Sequence, residues 1–132
     1  MMESDLRRWV RSELGNLAYW VEHARGATVG MADCFVAVEG RLVPLELKVG
    51  PIREKELEWW WQVMLRPAQI QVGARLWSQG VETFVLVGNE YQKGVWLMSW
   101  RDFGKAEDGR VKVIGPLRNG EELLEHCKMG SR

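Results

Sequence analysis

A chain of 132 residues, 46% of them hydrophobic, suits one domain with a sizeable buried core. Its 18 basic and 18 acidic residues cancel, which excludes a global attraction to polyanions and leaves any phosphate-facing surface to local placement. Two cysteines without CxxC spacing exclude a disulfide scaffold. No apolar run approaches the roughly 20 residues of a membrane span, and the charged N-terminal stretch has no secretory core, so a soluble, cytoplasmic protein is expected.

Leu6, Trp9, Val10, Leu14, Leu17, Trp20 and Val21 recur at three- and four-residue spacing, which predicts a long amphipathic helix with Ser4 as N-cap and Gly26 as stop. Glu13 falls on that apolar stripe. A carboxylate there neutralises, finds a partner or faces a polar cleft, because an unpaired buried charge is very unfavourable. The cleft is the reading adopted, with Glu22 on the flank of the stripe as its substitute. A short strand is expected near Thr28-Val29.

Residues 33–39 and 42–49 read as two strands joined at Gly40-Arg41, a β-hairpin. Side chains alternate along a strand, so Val43, Leu45, Leu47 and Val49 share one face while Glu46 and Lys48 share the other. The hairpin carries Asp33, at the start of the first strand, back beside Glu46 and Lys48. Two carboxylates and an amine that converge can hold a hard cation such as Mg²⁺ and offset charge on a phosphate. Glu-x-Lys by itself fits a solvent-facing polar stripe equally well.

Lys48, Arg53, Lys55, Arg66 and Arg75 flank this hairpin and form either a phosphate-facing patch or a solvated surface of mixed sign, since Glu54, Glu56 and Glu58 interleave with them. Eight tryptophans are present, three in the run Trp59-Trp60-Trp61. Three consecutive indoles span too wide an arc for one helical stripe and alternate faces in a strand, so at least one faces outward. An outward indole could stack on an unpaired base, anchor a subunit interface or pack under the surrounding segment. Trp9, Trp20, Trp77, Trp96 and Trp100 are expected in or beside the core.

A second helix is predicted over residues 67–79, with Pro67 in its first turn, Gly80 ending it, and Gln69, Val72, Gly73 and Leu76 on one face. Strands follow over 83–87 and 95–100, then a polar turn over 105–110, a short strand over 111–114 and a helix over 121–128. His23 and His126, like Cys34 and Cys127, lack the spacing of a zinc site. The order is an αβββαβ core with C-terminal β and α additions in a single domain covering residues 1–132.

These segments resemble the PD-(D/E)XK nuclease superfamily, in particular its compact VRR-NUC and Holliday-junction-resolvase-like members. Gly30-Met31-Ala32-Asp33 is similar to their Gly-x-Pro-Asp, Val43-Pro44-Leu45-Glu46-Leu47-Lys48 to their strand ending in Glu-x-Lys, and Arg66-Pro67-Ala68-Gln69 to the start of their glutamine-bearing helix. Ala32 stands where proline is usual, and Val85-Leu86-Val87-Gly88-Asn89 lacks the basic pair behind the VRR name.

The resemblance implies a restriction-endonuclease-like α/β fold, a central mixed sheet flanked by helices. It implies a Mg²⁺- or Mn²⁺-dependent DNA endonuclease, acting on branched or flapped DNA as a homodimer without a nucleotide cofactor. Asp33, Glu46, Leu47 and Glu13 would be the metal ligands, and Glu13, Asp33, Glu46, Lys48 and Gln69 the catalytic set. Arg53, Lys55, Arg66 and Arg75 would bind DNA, and Trp59, Trp60 and Trp61 would form the subunit interface. The alternative is a catalytically silent module that binds DNA or a protein through the tryptophan-rich segment. On the catalytic reading, Asp33→Asn and Glu46→Gln abolish cleavage without unfolding the chain.

Overall fold

A computed structural model of the protein describes residues 1–22 and 30–129. The chain opens with helix α1 (Glu3–Leu14), whose first turn is closed by Asp5 Oδ2 accepting from the Met2 N–H at 2.8 Å. Ser4 is therefore inside the helix and is not its cap. Gly15 takes φ 52°, a left-handed conformation that ends α1 seven residues before Glu22. After a single 3₁₀ turn over Gly15–Leu17, residues Ala18–Trp20 form strand β1. Trp20 lies opposite Cys34 in an antiparallel pair, so the predicted long helix is a helix followed by an edge strand. The proposed stop at Gly26 and the strand near Thr28-Val29 lie outside the described residues.

The expected hairpin is present as β2 (Cys34–Val38) and β3 (Arg41–Gly50). Its two turn residues are Glu39 and Gly40, at φ 49° and 77°, one position earlier than the sequence suggested, and Val38 faces Arg41. Two successive positive φ values are what a twisted two-residue hairpin loop requires, and Gly40 supplies the second without a Cβ clash. The chain then forms a second hairpin, β4 (Ile52–Lys55) and β5 (Glu58–Gln62), before α2 (Pro67–Ser78). Next come β6 (Phe84–Asn89), β7 (Val95–Ser99), the short α3 (Trp100–Phe103), β8 (Arg110–Val113) and α4 (Gly120–Met129).

Five strands form the central mixed sheet in the order β1-β2-β3-β6-β7, with β3 and β6 parallel and the other neighbours antiparallel. β4, β5 and β8 form a separate three-stranded sheet. β6 is buried along its whole length, as a central strand covered on both faces must be. Phe84 and Leu86 join Leu6, Val10, Leu45, Leu47 and Leu123 in a core under α1 and α4. Val85 and Val87 point the other way, into a second core with Trp61, Trp96, Met98 and Trp100.

Lys48 stands beside Val87, and Glu46 beside Val85, in the β3–β6 register, so both project from this second face. Gly73 brings α2 onto the same face: an added Cβ would lie 2.6–2.7 Å from the Trp100 ring. No helix among the described residues is long and apolar enough to cross a membrane.

Candidate active site

Asp33 stands immediately before β2, and the Cys34–Leu45 pair carried one step outward sets it across from Glu46. Both of its carboxylate oxygens are held. Oδ2 accepts from the Leu47 main-chain N–H at 2.8 Å, and Oδ1 accepts from Arg7 Nη2 at 3.1 Å. The N–H and C=O of one strand residue point to the same side, so the Leu47 carbonyl also faces the end of β2 where Asp33 sits. Arg7 comes from α1 with its guanidinium 5.3 Å from the centre of the Trp20 ring, which Arg11 also covers at 4.7 Å. The edge strand β1 thus supplies an aromatic shelf that orients the cation gripping Asp33.

Glu46 is held from the opposite side by α2. Gln69 Nε2 donates to Glu46 Oε1 at 2.8 Å, while Gln69 Oε1 accepts the Arg66 main-chain N–H at 2.9 Å. One amide therefore closes the first turn of α2 and fixes the carboxylate. Pro67 at the start of that helix makes the turn local and readable in sequence. Burial is the largest influence on the Glu46 carboxyl, followed by the Asp33 charge and the hydrogen bond to Asp33. Together they push it up to about 8, against the lowering effect of Lys48, and Glu3 adds a further raising charge. Two facing carboxylates on a half-buried edge, one gripped by Arg7 and the other by Gln69, with Lys48 beside them, form a site whose oxygens are directed at one place.

Asp33, Glu46, Lys48 and Gln69 are brought together; Glu13 is not. It is exposed on α1, and its Oε1 accepts the Gly120 main-chain N–H at 2.8 Å, where it meets the positive end of α4. Its partner lies 107 residues away in the chain, which no helical projection could reveal. Glu22 is exposed beyond β1. The acid of α1 that acts on Glu46 is Glu3, one turn before Arg7 and within 3.7 Å of it. Glu3 and Arg7 were missed; their i,i+4 spacing was the available signal.

Arg66 caps the helix that holds Glu46, and Arg75 is exposed farther along α2. Arg53 and Lys55 belong instead to β4 and face a groove on the second sheet. The tryptophan run divides as a strand requires. Trp61 is 0% exposed and so is not available as an interface residue, Trp59 is half-buried and packs on Trp96 with ring centres 5.0 Å apart, and Trp60 turns to the opposite face. Among the other tryptophans, Trp77 is exposed instead of lining the core. Cys34 and Cys127 are buried thiols, each pushed up to about 12 chiefly by burial, and neither is a nucleophile at ordinary pH.

Among the described residues no set of three or more His, Cys, Asp and Glu side chains converges to hold a metal. The donor set at the site is two carboxylates and the Leu47 carbonyl. These are hard oxygens, and their number fits Mg²⁺, which keeps several waters and uses one or two protein carboxylates together with substrate phosphate.

No family model matches the chain, and no curated protein matches it. Among solved structures, it is similar to Hjc, a Holliday junction resolvase from the archaeal hyperthermophile Archaeoglobus fulgidus. The identity is 15%, with 92% of this chain and 97% of that one covered and a TM-score of 0.53. It also matches D212, a nuclease from a fusselovirus, at 12% identity, with 98% of this chain and 83% of that one covered and a TM-score of 0.42. The likeness to the resolvase shows the fold: a mixed α/β architecture with a central mixed sheet flanked by helices.

Proposed function

We propose that the protein is a Mg²⁺- or Mn²⁺-dependent endonuclease that hydrolyses DNA phosphodiester bonds and selects branched or flapped structure over base sequence. The observation that carries this reading is the convergence of Asp33, Glu46 and Lys48, with Glu46 fixed by Gln69, at one edge of the central sheet. The fold likeness to a Holliday junction resolvase supports it.

A bound divalent ion would supply Lewis acidity at the phosphate and lower the pKa of water. Asp33, Glu46 and the Leu47 carbonyl would hold that ion. Arg7 and the Leu47 N–H keep Asp33 from swinging away, and Gln69 does the same for Glu46, so the ligand oxygens are set before substrate arrives. Lys48, on the same strand face as Glu46, places an ammonium where it can orient the attacking water and offset charge that builds on the phosphate oxygens. Arg66, at the N-terminus of α2, would meet the DNA backbone beside the site. A homodimer would set two such sites against a four-way junction.

The test is cleavage of end-labelled four-way junction, flap and linear duplex by the wild-type protein in Mg²⁺, in Mn²⁺ and in EDTA. Metal-dependent products, with branched substrates cut faster than linear duplex, are expected. Equal cutting of all three refutes structure selectivity, and no cutting of any refutes the nuclease.

A further inference from the structure

The three-stranded sheet β4-β5-β8 has a face that the proposed catalytic site does not use. Its inner face carries Ile52, Trp61, Val111 and Val113 into the core. On the outer face the register places Trp60 between Arg53 of β4 and Lys112 of β5's other neighbour, β8, and places Gln62 beside Arg110. Lys112 is taken up by Glu58 at 2.8 Å, which leaves Arg53, Lys55 and Arg110 around the indole. Tyr91, 67% exposed, closes one side, and the Arg53 guanidinium lies 6.0 Å from its ring centre. Together these residues line a groove of about 600 Å³. An indole half-buried in the middle of a polar sheet face contributes to neither core, and its two cross-strand neighbours are cations.

We infer that this groove is a stacking platform for an unpaired DNA strand, with Trp60 and Tyr91 taking bases and Arg53, Lys55 and Arg110 taking phosphates. Aromatic faces flanked by cations hold single strands because every base offers a π-face, whereas a base inside a duplex cannot reach a recessed indole. Glu56, Glu107 and Asp108 line the same groove and cancel its net charge. That balance suits a few nucleotides held mainly by stacking and disfavours a long run of duplex phosphates. The groove begins at Pro51, three residues past Lys48, so by strand rise it lies within about 10 Å of the proposed catalytic lysine. Its role as a guide for the flap or arm of a substrate rests on the nuclease reading; its affinity for a single strand does not.

The experiment measures binding by fluorescence anisotropy in EDTA, using a fluorescein-labelled oligodeoxythymidine of about twelve nucleotides and a blunt duplex of equal length. Wild type, Trp60→Ala, Trp60→Phe and the double variant Arg53→Ala/Arg110→Ala are compared. The single strand is expected to bind more tightly than the duplex. Trp60→Ala is expected to weaken it about tenfold, with Trp60→Phe restoring most of the loss.

Three phosphate contacts give a salt slope of about 2 on logarithmic axes for the wild type, falling below 1 in the double variant. Quenching of wild-type tryptophan fluorescence by the oligonucleotide, absent in Trp60→Phe, checks the same contact without relying on the alanine variant's stability. Affinity unchanged by both Trp60 substitutions, or a preference for duplex, overturns the platform. A parallel cleavage assay in Mg²⁺ separates the two readings. Trp60-dependent binding without cleavage leaves the platform standing and sinks the nuclease, while Lys48-dependent cleavage with Trp60-independent binding does the reverse.

Discussion

Glu46 carries an unusual share of the local electrostatics. Its carboxyl titrates near 8 in the folded chain against an ordinary 4.5, so between those values the metal-free folded state binds a proton that the unfolded state has released. The resulting stability is fully present below about pH 4.5 and is lost as pH rises through about 8. Glu46→Gln removes the titration and keeps an acceptor for Gln69. Thermal melts in EDTA are therefore expected to show a higher Tm for this variant than for wild type at pH 8, with a flatter pH profile, and it should not cleave DNA. A variant as pH-sensitive as wild type would contradict the arrangement.

For Asp33→Asn the hydrogen bonds around Asp33 add an expected loss of stability to the expected loss of cleavage. Its amide would point N–H groups at Arg7 or at the Leu47 N–H, both donors, so it should cost about 1–3 kcal/mol of stability in denaturant titrations as well as cleavage. Asp33, Glu46 and Lys48 were legible because a two-residue hairpin is a local pattern with fixed geometry, and Gln69 because the start of its helix resembles a glutamine-bearing helix of the nuclease superfamily. Arg7 and Glu3 depend on how α1 lies against the sheet, and Glu13 on a helix that starts at residue 120, so their roles needed the tertiary structure.

At the scale of elements, α1 and β1 are the instructive pair. The apolar spacing of Leu17, Trp20 and Val21 continues the helical period, yet Gly15 breaks the backbone, and β1 gains its partner from β2. Periodicity measures which side is apolar; it does not register that a glycine-asparagine step lets the chain turn into a strand. The β4–β5 hairpin was readable only as an intervening segment, because its third strand arrives from residues 110–113.

α2 meets the Trp100 ring of α3 so closely that position 73 has room for a hydrogen alone. Gly73→Ala should destabilise by about 1–3 kcal/mol in urea titration, because the rigid Trp100 ring cannot yield as a flexible side chain would. It should also slow cleavage by displacing Gln69, about one turn earlier on the same face of α2. An alanine variant of wild-type stability would mean that α2 lies farther from Trp100.

For the whole molecule, the two cores sit on opposite faces of one mixed sheet, and the proposed site occupies the edge where β2 ends and β3 runs on. Cys34 and Cys127 both belong to the core under α1 and α4. Neither should react with a thiol-disulfide reagent in the native state at pH 8, and both should react in guanidinium; rapid native labelling would show that this core opens. The order of elements around the site was legible from sequence, while the second sheet, with its groove, was not, since it depends on non-local strand pairing.

The central claim is that Asp33, Glu46 and Lys48 act together on a DNA phosphodiester. It is tested most directly by the single-turnover cleavage rate of a labelled four-way junction in Mg²⁺, wild type against Lys48→Ala. A loss of about 10²-fold or more in rate, with junction binding and Tm retained, is the expected result. Equal rates for the two proteins would contradict the account.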